Sequence, residues 1–377
     1  MRIEDRRFHW EDPAGREHFA EHGHAIVSGV LDAADREEIE RGWNDVVTEA
    51  ADACGLVPER FVERFPQNRD LWRKSARFRR LLFETRQADV ARRYLGVSGV
   101  RLFHDHAILK PVHASGSIPW HQDSAYWPVD RVGLSLWTPT HDVPADGGCL
   151  EVLDTSHRDG PAAPQDFLAG GGAAPTAEGR RLRLPVRRGE TVVLNGLCWH
   201  ASGPNVGTTD RLAYLTLWVP STARFVPEHA GWHPTAAHVA VPPGARLDGD
   251  WFPLFGSVPS DDEGELVQFP QPAARSGPSM FTASRDIAEQ IVWLLGVPSA
   301  PLARLLEGDG PADITRTAVA AGLCPDAAAT ELRAVLDDLK LQDHVRRRSV
   351  ARDVYLRSVS RWWALVGARV DEERNAG

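Results

Sequence analysis

Ile118-Pro-Trp-His121-Gln122-Asp123 and, later in the chain, Thr191-Val-Val-Leu-Asn195-Gly-Leu-Cys-Trp-His200-Ala-Ser202 are the stretches whose joint reading decides the fold. On a β-strand, side chains at i and i+2 share a face, so His121 and Asp123 can both reach one metal ion. A third ligand must then arrive from another strand, and His200 stands where the apolar run Thr191–Asn195 ends. Two imidazoles and one carboxylate form the set that holds non-haem Fe(II) while leaving half of its coordination sphere open. In a chain with 15 histidines a lone His-x-Asp carries little. Singly, His121 reads as well as a hydrogen-bonded strand-end histidine, and Asp123 as a turn carboxylate. Together with His200 and the downstream Arg211 they carry the metal reading.

Outward from these stretches the pattern is one of short strands separated by turns. Between about residues 97 and 220, Gly133–Thr138, Cys149–Leu153 and Arg211–Pro220 read as strands. Pro144-Ala-Asp-Gly-Gly148 reads as a turn, and Ala169–Ala177 as a Gly/Ala-rich excursion. The implied fold class is a mainly β core with flanking helices: a double-stranded β-helix of the jelly-roll or cupin kind. Residues 16–95 read mostly as helices. Asp32 and Asp35 are candidate caps for a helix over Asp35–Ala50, and Trp72–Tyr94 has apolar residues at helical spacing. Gly23–Leu31 looks like a short strand and a turn. Residues 221–280, rich in Pro, Gly and Trp without a period, read as long loops covering the barrel mouth. From Ser284 on the pattern is helical again. The expected division is a barrel domain over 1–280 and a helical C-terminal extension over 281–377.

A chain of 377 residues, 42% of them hydrophobic, can bury one large core and a smaller appendage. Its net charge of −9 argues against nucleic acid or an anionic membrane as the main partner. Cys54, Cys149, Cys198 and Cys324 are scattered without a C-x-x-C pair, which fits a reducing cytoplasm better than a disulfide framework or a zinc site. No apolar run has the length of a membrane span, and Met1–Arg7 lacks the apolar stretch of a signal peptide. A cytoplasmic location away from membranes is the expectation. Asp313–Leu341 followed by Arg346-Arg-Arg348 has the outline of a helix-turn-helix with a basic wing, but charges over 281–377 nearly cancel. A helical cap or a homo-oligomer contact is expected there, not DNA binding.

Read in order, Ile118–Asp123, Leu136-Trp137-Thr138, Gly147-Gly-Cys-Leu150, Ser156-His157, Trp199-His200-Ala-Ser202 and Arg211 resemble the phytanoyl-CoA dioxygenase (PhyH) family. These are Fe(II)/2-oxoglutarate-dependent oxygenases, and the resemblance runs from about Phe19 to Pro220. It implies Fe(II) held by His121, Asp123 and His200, with 2-oxoglutarate and O2 as co-substrates and a small molecule as substrate. The chemistry of Arg211 agrees, because a guanidinium fork matches the distal carboxylate of 2-oxoglutarate with two charge-assisted hydrogen bonds. Ser202 could add a hydroxyl, although a Ser before Gly203-Pro204 is also an ordinary turn residue. By resemblance, His106, Trp137 and Gln122 join the 2-oxoglutarate pocket, and Lys110 matches a family lysine whose role the residues do not give. His106, clustered with His104 and His113, reads equally as a core histidine, Trp137 as core packing, and Cys198 as an inert buried thiol. Tyr126, Trp127 and Trp232 are candidate contacts for an apolar or ring-bearing substrate, or packing.

Related halogenases carry a small residue where this chain has Asp123, so the resemblance implies oxygen rather than halide chemistry. The expectation is hydroxylation of an unactivated C–H bond in a small organic molecule, in secondary metabolism, with 2-oxoglutarate and O2 converted to succinate and CO2. Desaturation, epimerisation or ring formation at the same site is one alternative. A cupin-like metal-binding regulator without turnover is another.

Overall fold

The computed structural model describes residues 2–54, 57–64, 67–112, 117–162, 179–230 and 233–267. The Ala169–Ala177 excursion, Trp232 and the helices expected over 281–377 lie outside the described residues. Among the described residues twelve strands occur in chain order: β1 (Phe8–His9), β2 (His24–Ser28), β3 (Gln67–Arg69), β4 (Gly99–Lys110), β5 (Ile118–His121), β6 (Leu134–Pro139), β7 (Leu150–Leu153), β8 (Arg181–Leu184), β9 (Glu190–Asn195), β10 (His200–Ser202), β11 (Arg211–Pro220) and β12 (Leu254–Gly256). The larger sheet runs β1-β2-β9-β6-β11-β4-β12, with β3 added beside β4, and the smaller runs β5-β10-β7-β8. Apart from the parallel β1–β2 pair, the ladders are antiparallel. This is the jelly-roll arrangement of a sheet-rich core with flanking helices.

Ile26, Trp137, Val152, Leu184, Val192 and Leu194 fill the space between the sheets. The outer face of the larger sheet packs Val27, Val193 and Tyr214 against helical residues such as Ile39, Phe78 and Leu81. With both faces covered, β9 and β11 carry apolar residues at successive positions where a half-exposed strand would alternate. On β4 the alternation survives as chemistry. His106, Ile108 and Lys110 turn inward, while Asp105 turns out to accept hydrogen bonds from Tyr214 Oη at 2.8 Å and Trp72 N at 3.0 Å.

Side chains supply caps for the first two helices. α1 (Pro13–His22) has Pro13 in its first turn, Asp12 accepting from Ala14 N at 2.9 Å, and Gly23 ending it at φ 76°. α2 (Ala33–Cys54) opens on a reciprocal box: Asp35 N donates to Asp32 Oδ1 at 2.8 Å and Asp32 N to Asp35 Oδ2 at 3.1 Å. After α3 (Pro58–Arg64), the helical spacing over Trp72–Tyr94 resolves into α4 (Leu71–Lys74), α5 (Ala76–Glu84) and α6 (Gln87–Leu95). Ser75 and Thr85 adopt extended backbone at the breaks. At the second, Thr85 Oγ1 and Gln87 Nε2 both donate to the Leu81 carbonyl, at 2.6 and 2.9 Å, which offers the chain an alternative to continuing the helix. The described part of the 221–280 stretch is mostly loop, with α7 (Pro227–Ala230), a 3-10 turn (Pro234–His238) and β12 as short exceptions.

Burial pushes the Asp105 carboxyl up to about 7, with Asp70 adding to the rise and the Tyr214 and Trp72 hydrogen bonds opposing it. A raised folded pKa means that the folded chain holds a proton the unfolded chain has lost, from about pH 4 to about 7. The stability this group contributes is present at low pH and falls as pH rises through that window. Asp105→Asn keeps the shape and one acceptor oxygen. It should be more stable than the parent at pH 8, with a flatter denaturant midpoint between pH 5 and 8; superimposable profiles would sink the assignment.

Candidate metal and co-substrate site

His121 is the last residue of β5 and His200 the first of β10, and the antiparallel register sets them directly opposite each other. β5 is an edge strand, where the missing N–H of Pro119 is tolerated. Gln122 stays extended at φ −114° and ψ 126°, and Asp123 opens a short 3-10 turn, Asp123–Tyr126. The i, i+2 relation therefore holds across a strand end, not within a strand. Asp123 Oδ1 lies 3.3 Å from His121 Nε2 and 3.5 Å from His200 Nε2. Neighbouring ligands about 2.1 Å from one ion stand about 3 Å apart, so the three atoms need only a small adjustment to share a cation.

Hydrogen bonding presets each ligand. His121 Nδ1 donates to the Pro119 carbonyl at 2.8 Å and His200 Nδ1 to the Cys198 carbonyl at 3.0 Å. A carbonyl only accepts, so the proton sits on Nδ1 and the Nε2 lone pair faces the site. Ser135 Oγ donates to Asp123 Oδ2 at 2.5 Å, leaving Oδ1 for a metal. Burial pulls His200 down to about 4, and the neighbouring His121 adds to the effect. Burial alone would raise Asp123, but His200, His121 and Ser135 outweigh it and hold the carboxyl well below the usual range. A buried carboxylate beside a neutral His200 is the protonation pattern a divalent cation requires.

The segment carrying Asp123 is clamped to the β9–β10 turn. Ser124 N donates to the Gly196 carbonyl at 2.9 Å, and Gly196 N to the Gly133 carbonyl at 2.8 Å. A Cβ on Gly196 would stand 2.0 Å from Ser124 Oγ, so only glycine permits this approach. Gln122 does not reach the 2-oxoglutarate pocket as expected. Its Nε2 donates to the Leu197 and Gly160 carbonyls at 2.7 and 3.0 Å, and its Oε1 accepts from Ala162 N at 2.7 Å. The reason is strand alternation: His121 and Asp123 face the cavity, so the residue between them must turn away. Gln122 ties the metal segment to the turn before His200.

The three ligands line a cavity of about 280 Å³. Arg211, Ser202, Trp137 and His106 line it too. Arg211 is 1% exposed and lies opposite Lys110 in the β11–β4 ladder. Its Nη1 donates to the Gly148 carbonyl at 2.7 Å and to Ser202 Oγ at 3.2 Å, whereas Nε and Nη2 are buried without a hydrogen-bond partner. Its guanidinium carbon stands 5.5 Å from the Trp137 ring centre. Burial lowers Arg211 to about 10. Lys110 donates to Ser202 Oγ at 2.9 Å and to the Gly203 carbonyl at 2.6 Å. Burial, with repulsion from Arg211, brings its ammonium down to about 7. A buried guanidinium with two unused donors beside an ammonium is a site built for a carboxylate.

Tyr126 and Trp127 both face the cavity, yet Trp127 is also fully buried core, 5.5 Å from the Phe103 ring. Trp127 therefore serves as core packing as well as cavity wall. Cys198 is buried, and burial raises its thiol to about 12, which makes it inert. Sequence reasoning missed Ser135, Gly196, Arg69 and His233. Nothing in their local motifs separates them from ordinary strand or loop residues.

A jelly roll with two imidazoles, one carboxylate and a buried guanidinium in one cavity defines the architecture of the non-haem iron, 2-oxoglutarate-dependent enzymes. The family profile described as phytanoyl-CoA dioxygenase (PhyH) matches residues 19–213, and the chain belongs to that family. A rat protein named phytanoyl-CoA dioxygenase domain-containing protein 1 is 31% identical over 147 residues, covering 36% of this chain and 50% of the rat protein. Its mouse counterpart is 29% identical over 162 residues, covering 40% and 55%. The chain thus spans about half the length of the curated relatives it matches. Among solved structures, the non-heme alpha ketoglutarate dependent carbocyclase SnoK from nogalamycin biosynthesis aligns with TM-score 0.52 and 18% identity, over 67% of this chain and 98% of that one. The epimerase SnoN from the same biosynthesis gives TM-score 0.50 and 24% identity, over 64% and 99%. At these identities the likeness concerns the fold. No helix among the described residues is long and apolar enough to cross a membrane.

Without a ligand, the buried Arg211 charge is a liability to the fold. Arg211→Met should leave the metal-free chain as stable or more stable in a thermal melt, and should remove the rise in melting temperature that 2-oxoglutarate produces in the parent. An undiminished 2-oxoglutarate effect in the variant would refute the assignment.

Proposed function

We propose that this chain is an Fe(II)/2-oxoglutarate-dependent oxygenase that hydroxylates a C–H bond of a small organic molecule. The observation that carries the reading is Arg211: a buried guanidinium with two unused donors, on the same cavity as the His121–Asp123–His200 set. Family membership supports the same chemistry, and the intact Asp123 favours oxygen over halide transfer.

Fe(II) bound with 2-oxoglutarate and O2 supplies an oxidant strong enough for C–H bonds. The remaining roles belong to the chain. His121, Asp123 and His200 would hold the metal by one face. Arg211 and Ser202 orient the distal carboxylate of 2-oxoglutarate, with the Trp137 ring flanking the guanidinium. Lys110 adds positive potential behind Ser202. Ser135 keeps Asp123 ionised and aimed, and Leu194, Leu215 and Leu217 help keep water from the reacting carbon.

SnoK and SnoN carry names that assign them ring formation and epimerisation. The same residues would serve those outcomes, but the cavity holds no feature that favours one of them. Anaerobic addition of Fe(II) and 2-oxoglutarate should produce the weak visible metal-to-ligand charge-transfer band of this enzyme class. Absence of the band, together with absence of succinate formation in air, would defeat the reading. Asp123→Ala should abolish both, and Arg211→Ala should sharply raise the 2-oxoglutarate concentration needed while leaving Fe(II) binding largely intact.

A further inference from the structure

Arg69 is a second buried guanidinium on the same cavity, and 2-oxoglutarate has no carboxylate left for it. It ends β3, opposite His106 in the β3–β4 pairing, and is 3% exposed. Its Nη2 donates to Thr235 Oγ1 at 2.9 Å, and its Nε has no hydrogen-bond partner. Among the described residues no carboxylate forms an ion pair with it; Asp70 and Asp105 act only through space, and burial lowers its pKa. Around it stand three imidazoles. His104 lies 5.3 Å from His106 and 5.4 Å from His233, ring centre to ring centre, and the Nδ1 atoms of His104 and His106 lack partners. Burial lowers all three and keeps them neutral.

The position along the strand matters. Arg211 faces Lys110 across β11–β4, whereas Arg69 faces His106, four residues earlier on β4 and so about 13 Å away along the backbone. Asp123 is close enough to act electrostatically on both His106 and His233. On the oxygenase reading, which this inference rests on, 2-oxoglutarate places one carboxylate on the metal and the other on Arg211. Arg69 then remains as an uncompensated charge in the same cavity, whose lining also includes the apolar Trp127 and Leu217. A buried charge of this kind is retained where a ligand completes it.

We propose that Arg69, with His104, His106 and His233, is the subsite for an anionic group of the substrate, and that the molecule oxidised is a carboxylate on an apolar body. One guanidinium among neutral imidazoles matches a monoanion; a phosphate dianion would call for a second cation. Bidentate binding at Arg69 would fix which carbon faces the metal.

The probe pair is 3-phenylpropionate and its neutral amide. In the full chain with Fe(II) and 2-oxoglutarate under nitrogen, the carboxylate should bind at least about tenfold tighter than the amide, read by perturbation of the charge-transfer band. Arg69→Gln should erase that preference while the 2-oxoglutarate band persists. Calorimetric titration of metal-free Arg211→Met protein reads the same preference without iron or co-substrate, so failure of the oxygenase reading is separable from failure of the subsite. Thr235→Val, which removes the hydroxyl that orients Arg69, should weaken carboxylate binding about threefold and serves if Arg69→Gln does not fold. No carboxylate preference in the parent, an unchanged preference in either variant, or loss of the 2-oxoglutarate band in Arg69→Gln each overturns the proposal. The last outcome would make Arg69 a co-substrate residue.

Discussion

The site depends on one register: His200 opposite His121 in the pairing of β10 with β5. A slip of one residue would turn His200 to the other face and leave two ligands where three are needed. β10 is only three residues long, so its ladder alone is a weak guarantee. The register is locked from outside, by Gln122 on the Leu197 carbonyl, by Ser124 on the Gly196 carbonyl, and by the absence of a side chain at Gly196. Ser156 Oγ, accepting from Trp199 N at 3.0 Å, holds the approach to His200 from the opposite side. These contacts explain why polar residues are buried here at all. Gln122 and Ser156 spend side-chain hydrogen bonds on backbone that would otherwise be free to shift.

Around that register the cavity is electrostatically unbalanced in the ligand-free chain. Its cations, Arg211 and Arg69, are desolvated and lack carboxylate partners among the described residues, and Lys110 is buried behind one of them. Surface charges behave differently: Asp262 gathers Arg131, Arg224 and Arg246 into an ion-pair network that ties the 221–267 loops to the barrel. The same residue types thus perform two tasks, separated by whether the acid is present. Where it is present the loop is fastened, and where it is missing the protein presents a demand for an anion. Those loops also carry His233 to the cavity wall and Thr235 to Arg69, so the network helps position a pocket it does not touch.

Much of this was legible in the residues. Alternation, turn clusters and apolar runs located β6, β7, β9 and β11, and the cap signature at Asp32 and Asp35 marked the start of α2. The metal set was legible because ligand chemistry restricts it to a few residue types at a spacing a strand can deliver. Arg211 was legible only from its placement after His200, since by itself it reads as an ordinary strand-start cation. Gln122 was misjudged because proximity in sequence to two ligands says nothing about which face a side chain takes. The breaks at Ser75 and Thr85 were missed because the apolar spacing continues across them, while the hydrogen bonds that end the helices are local and polar.

By its own chemistry the sequence determined the class of structure and the candidate metal set, since periodicity and donor type are properties of neighbouring residues. Only the tertiary structure decided which charges are left without partners. Arg69 precedes the first ligand by half a hundred residues, and Thr235 and His233 follow the last by some thirty. Their convergence depends on β3 pairing with β4 and on a loop that brings His233 to the cavity and Thr235 to Arg69. Whether a charge is satisfied depends on everything packed around it, and no local pattern in the chain records that.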